Sequence, residues 1–113
     1  MIHAAHASRY HWGHAGGLLN RSIGEWQISR VYAVLGRPEA ATYHARWALE
    51  TARKGGLARF YVAYAYEALA RAAATAKDAS EKSRFLKAAR RNGARIRDSD
   101  DRRMLEEDLA TIP

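Results

Sequence analysis

Glycines at positions 13, 16, 17, 36, 55, 56 and 93 cut an otherwise helix-favouring chain into segments of helix length. Between them stand Ala, Arg, Leu and Glu in quantity, which propagate helix well, whereas glycine interrupts it and supplies the left-handed turn at its end. A chain punctuated in this way has little choice but to fold as short helices joined by tight links. At 113 residues it is long enough for one core and too short for two.

The individual elements follow from caps and breaks. Residues 2–13 form a first helix that the glycine cluster stops. Ser22 followed by Glu25 has capping-box spacing and opens a second helix that runs to Leu35, where Gly36 ends it. Pro38 suits the first turn of a third helix, which carries Ala41, Ala45, Ala48 and Leu49 up to Gly55-Gly56. A fourth runs from about Leu57 to Ala76. Asp78 or Ser80 caps a fifth, with Phe85, Leu86 and Ala89 before Gly93, and the acids Asp98, Asp100 and Asp101 open a sixth over 98–111 that turns Met104, Leu105 and Leu109 to one side. The expected class is all-α with about six helices.

Comparing the second helix with the fourth at a shift of 34 residues pairs Ile28 with Val62, Ser29 with Ala63, Tyr32 with Tyr66 and Leu35 with Leu69. The stretch ISRVYAVLGRPEAATYHARWAL resembles a tetratricopeptide repeat: large apolar, small, aromatic and leucine positions on one helix, then three alanines spaced four and three apart on its partner. The likeness covers residues 22–54 well and the next pair, 57–93, in its first half; ARAAATAKDASEK lengthens the second turn, and the proline common at the end of such repeats is replaced by Lys54-Gly55-Gly56. It implies antiparallel helix hairpins forming a short right-handed solenoid: a single domain over 1–113, with an unpaired helix at 1–15, repeats at 22–54 and 57–93, and a capping helix at 98–111. Repeat units need neighbours to bury their faces, so a homodimer or attachment to another protein is expected.

In such a solenoid the first helix of each pair lines the concave side, which here places Trp26, Arg30, Phe60, Tyr64 and Glu67 in a partner groove. Aromatic and arginine side chains are the usual anchors of peptide partners, and an extended or helical segment suits the shape. The alternative is that the same aromatics are buried against the first helix, the last helix or a second subunit. The resulting function is a non-catalytic, self-associating module that binds a protein or peptide segment, with no cofactor expected.

Two other chemistries compete with it. HAAHASRYHWGH, residues 3–14, holds four histidines and no acid, and on a helical wheel His3, His6, Tyr10 and His14 fall within about 80° of one another. His3 with His6, or His11 with His14, offers two nitrogens where zinc takes three or four ligands; His44, Glu25 or Glu67 would have to complete the set for a small metal-dependent or histidine-based enzyme. Alternatively, His11 and His14 are packed between helices. The chain has no cysteine, no Gly-x-Ser-x-Gly, no phosphate-binding glycine loop and no His-Glu-x-x-His, so the motif routes to an enzyme are closed.

Charge raises the third reading. The net charge is +7, and seven basic residues lie between Lys82 and Arg97, with Arg84, Lys87 and Arg91 along one helical face. Without a helix-turn-helix signature, a solvated face paired with the acidic tail explains this stripe better than nucleic acid does. No apolar run approaches the roughly 20 residues that span a bilayer, so no membrane partner is expected and the cytoplasm is the default location.

Overall fold

The structure, a computed structural model, describes residues 14–113. Among the described residues there are five helices and no strand: α1 (His14–Val34), α2 (Pro38–Lys54), α3 (Arg59–Thr75), α4 (Ala79–Gly93) and α5 (Ser99–Ala110). None of them is long and apolar enough to cross a membrane. The expected helix over residues 2–13, with His3, His6, Tyr10 and His11, lies outside the described residues. α1 and α2 form one antiparallel hairpin, and α3 and α4 a second. α3 also packs on α1 and α2, and α5 closes over α3 and α4.

The start of α1 corrects the sequence expectation. Gly16 and Gly17 do not stop a helix; α1 runs through them and through Gly24, and Ser22 lies inside it rather than at its cap. The reason is tertiary. The buried Ser22 hydroxyl donates across the hairpin to the Ala48 carbonyl at 3.0 Å, and Ser29, two turns on, donates to the Ala41 carbonyl at 2.7 Å. Glu25, free of any capping role, meets His44 instead. Opposite the serines, Ala41, Ala45, Ala48 and Ala52 are fully buried, so α2 presents a side of small residues against which α1 can lie closely.

Three helix ends share one geometry. Arg37 N–H reaches the Tyr32 carbonyl, Leu57 that of Ala52, and Asp78 that of Ala73, each around a residue of positive φ: Gly36 (73°), Gly56 (58°) and Lys77 (59°). The first two are the glycines expected there, since only glycine adopts the left-handed region without a Cβ clash. The third end uses a lysine. Asp78 rather than Ser80 then caps α4 by accepting from the Glu81 N–H, and Asp98 caps α5 by accepting from that of Asp101.

Corresponding ends of the two hairpins lie 41 residues apart, whereas the residue types were compared at a shift of 34. Val34 and Thr75 end the first helices, Gly36 and Lys77 turn, and Pro38 and Ala79 begin the second helices, each pair 41 apart. Contacts agree with this offset: Ser22 against Ala48 corresponds to Ala63 packed with Ala89, and Glu25 with His44 to Tyr66 with Phe85. The two offsets differ by seven residues, which brings a helix back to within about 20° of the same face. Residue types therefore match at either offset, while the helix ends match only at 41.

Two cores result. Ala45, Ala68 and Leu69 join the hairpins with Leu49 and Phe85 around them, and Ala63, Tyr64, Ala89, Ile96, Leu105 and Leu109 hold α5 to the second hairpin. Gly93 is buried where the Leu105 side chain enters, and a Cβ there would collide with it.

Candidate functional site

α3 carries Tyr64, Glu67 and Arg71 at intervals of three and four, hence on one face, and α1 meets that face with Trp26 and Arg30. The five groove residues expected from the sequence do come together. Trp26 Nε1 donates to Glu67 Oε1 at 2.9 Å, and the Trp26 and Tyr64 rings meet edge-on with centroids 5.4 Å apart. Phe60 lies 4.9 Å from Tyr64, and the Arg30 guanidinium lies 6.0 Å from the Trp26 ring centre and 3.9 Å from Glu67 Oε2.

The C-terminal helix completes the cluster. Tyr64 donates its phenol proton to Asp108 Oδ2 at 2.6 Å. Arg71, part-buried, donates twice to Glu67 Oε2, at 2.6 and 3.0 Å, and also to the Asp108 carbonyl and the Thr111 hydroxyl. Glu67 is 0% exposed. Burial pushes the Tyr64 phenol far above its ordinary value, reinforced by the hydrogen bond and charge of Asp108 and by the charge of Glu67, against the opposing pull of Arg30.

This arrangement ties α1, α3 and α5 to one another. Both Glu67 oxygens are engaged: Oε1 by Trp26, and Oε2 by Arg71 with the Arg30 guanidinium alongside, so one buried carboxylate is shared by two guanidiniums. Of the groove set, Tyr64 and Glu67 are buried, and Trp26, Arg30 and Phe60 are half-buried around them. Arg71 and Asp108 are the members that the sequence reading left out. Glu67-Ala-Leu-Ala-Arg71 has the spacing of a helical ion pair and could have exposed the first; nothing local marks Asp108, 37 residues further on.

His14 begins α1. His44 bridges the first hairpin: its Nδ1 lies 2.7 Å from Glu25 Oε2, its ring stacks on Tyr32 at 5.6 Å, and Tyr43 meets it edge-on. Among the described residues no group of three or more His, Cys, Asp or Glu side chains converges to hold a metal. Arg84, Lys87 and Arg91 are exposed on α4; Arg84 pairs with Glu81 at 2.7 Å and lies over the Phe85 ring at 4.5 Å. The same helix meets the acidic tail through Arg90 and Glu106, 3.9 Å apart.

Fold and cluster together define an all-helical protein with a largely buried ionic junction between its helices. No protein-family model, curated protein or solved structure matches the chain.

Proposed function

We propose that the chain is a non-catalytic interaction module, a tetratricopeptide-like short solenoid whose outer α1 side packs against a helix of a protein partner, a second copy of the chain being the first such partner. One comparison carries this reading. At the 41-residue offset Ile28 and Val31 of α1 correspond to Leu69 and Ala72 of α3. Leu69 and Ala72 are 3% and 0% exposed, with Ala45 and Leu49 of α2 packed around Leu69; Ile28 and Val31 are 41% and 48% exposed. The first hairpin thus offers the face that the second one buries. Nearby on the sequence, Leu35, Tyr43 and Trp47 are also exposed large apolar side chains, a composition typical of association surfaces.

The complementary surface is legible from the internal one: a helix with alanine and leucine along one side, as α2 has. Trp26, Arg30 and Phe60, half-buried beside the junction, provide the anchors for a peptide segment on the concave side. Light scattering coupled to size exclusion, at about ten micromolar, tests the self-association. The wild type is expected to run as a dimer and the Ile28→Glu/Val31→Glu variant as a folded monomer; a monomeric wild type, or a dimer that survives both charges, refutes the assignment of this face.

A further inference from the structure

Where the α2–α3 turn meets the end of α4 there is an open cleft of about 490 Å³ that shares no residue with the Glu67 junction. Its polar lining is Arg53, Arg59, Asn92 and the Tyr66 phenol; Leu57 and Val62 contribute apolar surface. No carboxylate lines it. Among the described residues neither Arg53 nor Arg59 lies within ion-pair distance of an acid, unlike Arg30, Arg71, Arg84, Arg90 and Arg103.

Both guanidiniums are nonetheless held in place, by neutral oxygens. Arg53 Nη2 donates to the Tyr66 hydroxyl at 2.6 Å, with the guanidinium 5.8 Å from the Tyr66 ring centre. Arg59 Nη1 donates to Asn92 Oδ1 at 3.0 Å, and Asn92 Nδ2 in turn donates to the Ala88 carbonyl at 2.9 Å, which sets the amide's orientation. Each guanidinium has five N–H donors, so positioning leaves most of its donor capacity unused, and a phenol that accepts from Arg53 retains its own O–H to give. Two uncompensated charges, each already held by a hydrogen bond, reduce the side-chain ordering that binding an anion would otherwise cost.

We propose that this cleft binds a phosphate monoester carrying an apolar substituent. A monoester holds close to two negative charges at neutral pH and three acceptor oxygens, which match two guanidiniums and one phenol. A carboxylate offers one charge and two oxygens. The apolar substituent lies against Leu57 and Val62, and the Tyr66 phenol orients the head.

Phenyl phosphate is the probe, titrated into the full chain by calorimetry and by amide NMR, with benzoate as the carboxylate control. Saturable one-site binding is expected, with shifts centred on residues 53–59, 66 and 92. Because a hydrogen bond to a charged group is worth enough to change affinity by about tenfold or more, Arg53→Gln and Arg59→Gln each weaken binding by that factor, and Tyr66→Phe weakens it less. Both arginines are exposed, so the variants retain the fold, which circular dichroism checks. Arg84→Gln, a basic residue outside the cleft, leaves the affinity unchanged. The proposal is overturned by an absence of saturable binding at millimolar probe, by benzoate binding as tightly as phenyl phosphate, or by Arg84→Gln costing as much as Arg59→Gln.

Discussion

Replacing Glu67 is the sharpest test of the junction. Glu67→Ala removes the acceptor of Trp26 Nε1 and the oxygen that accepts two of the hydrogen bonds of Arg71, and it leaves the Arg71 and Arg30 guanidiniums, 11% and 21% exposed, without their carboxylate. Breaking one side of a buried pair costs about 3–5 kcal/mol, chiefly because the surviving charge stays buried. A domain of this size has a total stability of about 5–15 kcal/mol, so the loss is a large fraction of it. Glu67→Gln keeps the volume and an oxygen for Trp26 but turns an amide toward Arg71, and is expected to cost about half as much. Glu67→Met/Arg71→Met removes both charges and recovers part of the loss, because no guanidinium is stranded at Arg71. Urea unfolding followed by circular dichroism reads all three through the midpoint and slope. A cost below about 1 kcal/mol for Glu67→Ala, with the slope unchanged, refutes the argument that this carboxylate is sealed and shared between helices.

Three further outcomes follow from particular backbone and side-chain positions. Gly17→Ala and Gly24→Ala meet nothing within 4 Å and lie inside α1, so each stabilises the fold by about 0.5–1 kcal/mol in thermal unfolding; a neutral Gly17→Ala contradicts a continuous α1. Lys77→Gly relieves a left-handed non-glycine residue at a turn where the two equivalent positions are already glycine, and stabilises by about 0.5–1 kcal/mol, read by the same melt. Tyr64 has a folded-state pKa raised above its unfolded value of about 10, so its contribution is complete below that pH and is lost as pH rises beyond it. Stability measured between pH 8 and 11 therefore falls more steeply in the wild type than in Tyr64→Phe, and parallel curves refute this.

The helices were legible because their ends are written in single residues. Gly36, Gly56, Pro38, Asp78 and the Asp98 cluster each state a local backbone requirement, and four of the five described helices begin or end where those residues demand. The beginning of α1 was not, since Ser22 and Glu25 satisfy a capping pattern locally and cross-helix bonds in the fold, and a local reading has no access to Ala48 or His44. The third turn was located, between Ala76 and Asp78, but ARAAATAKDASEK read as a lengthened link; it is as short as the first, because Lys77 takes the positive φ that Gly36 takes there, and nothing about lysine announces it. Of the candidate site, Trp26, Arg30, Phe60, Tyr64 and Glu67 were legible as one cluster, while Asp108 and Thr111, which join it through Tyr64 and Arg71, arrive from the far end of the chain.

The seven-residue ambiguity between offsets of 34 and 41 has a structural counterpart. The contacts between helices here are made largely by alanine: Ala41, Ala45, Ala48 and Ala52 on α2, Ala63, Ala68 and Ala72 on α3, Ala88 and Ala89 on α4. Such surfaces allow close approach but have little relief, and sliding one helix by two turns exchanges alanine for alanine on nearly the same face. Register must then come from groups that are sensitive to a slip. A hydroxyl that must reach one carbonyl, as Ser22 and Ser29 do, loses its partner after a shift of a single turn, and so does a phenol bound to Asp108 or a guanidinium shared between Glu67 and Thr111. The polar contacts thus select one alignment among several that alanine packing alone would tolerate. Glu67→Met/Arg71→Met separates the two roles: a variant that regains stability yet shows broadened or doubled amide resonances in α5 places the junction's role in alignment, and a single sharp set at wild-type positions assigns that role to the apolar contacts of Leu105 and Leu109 instead.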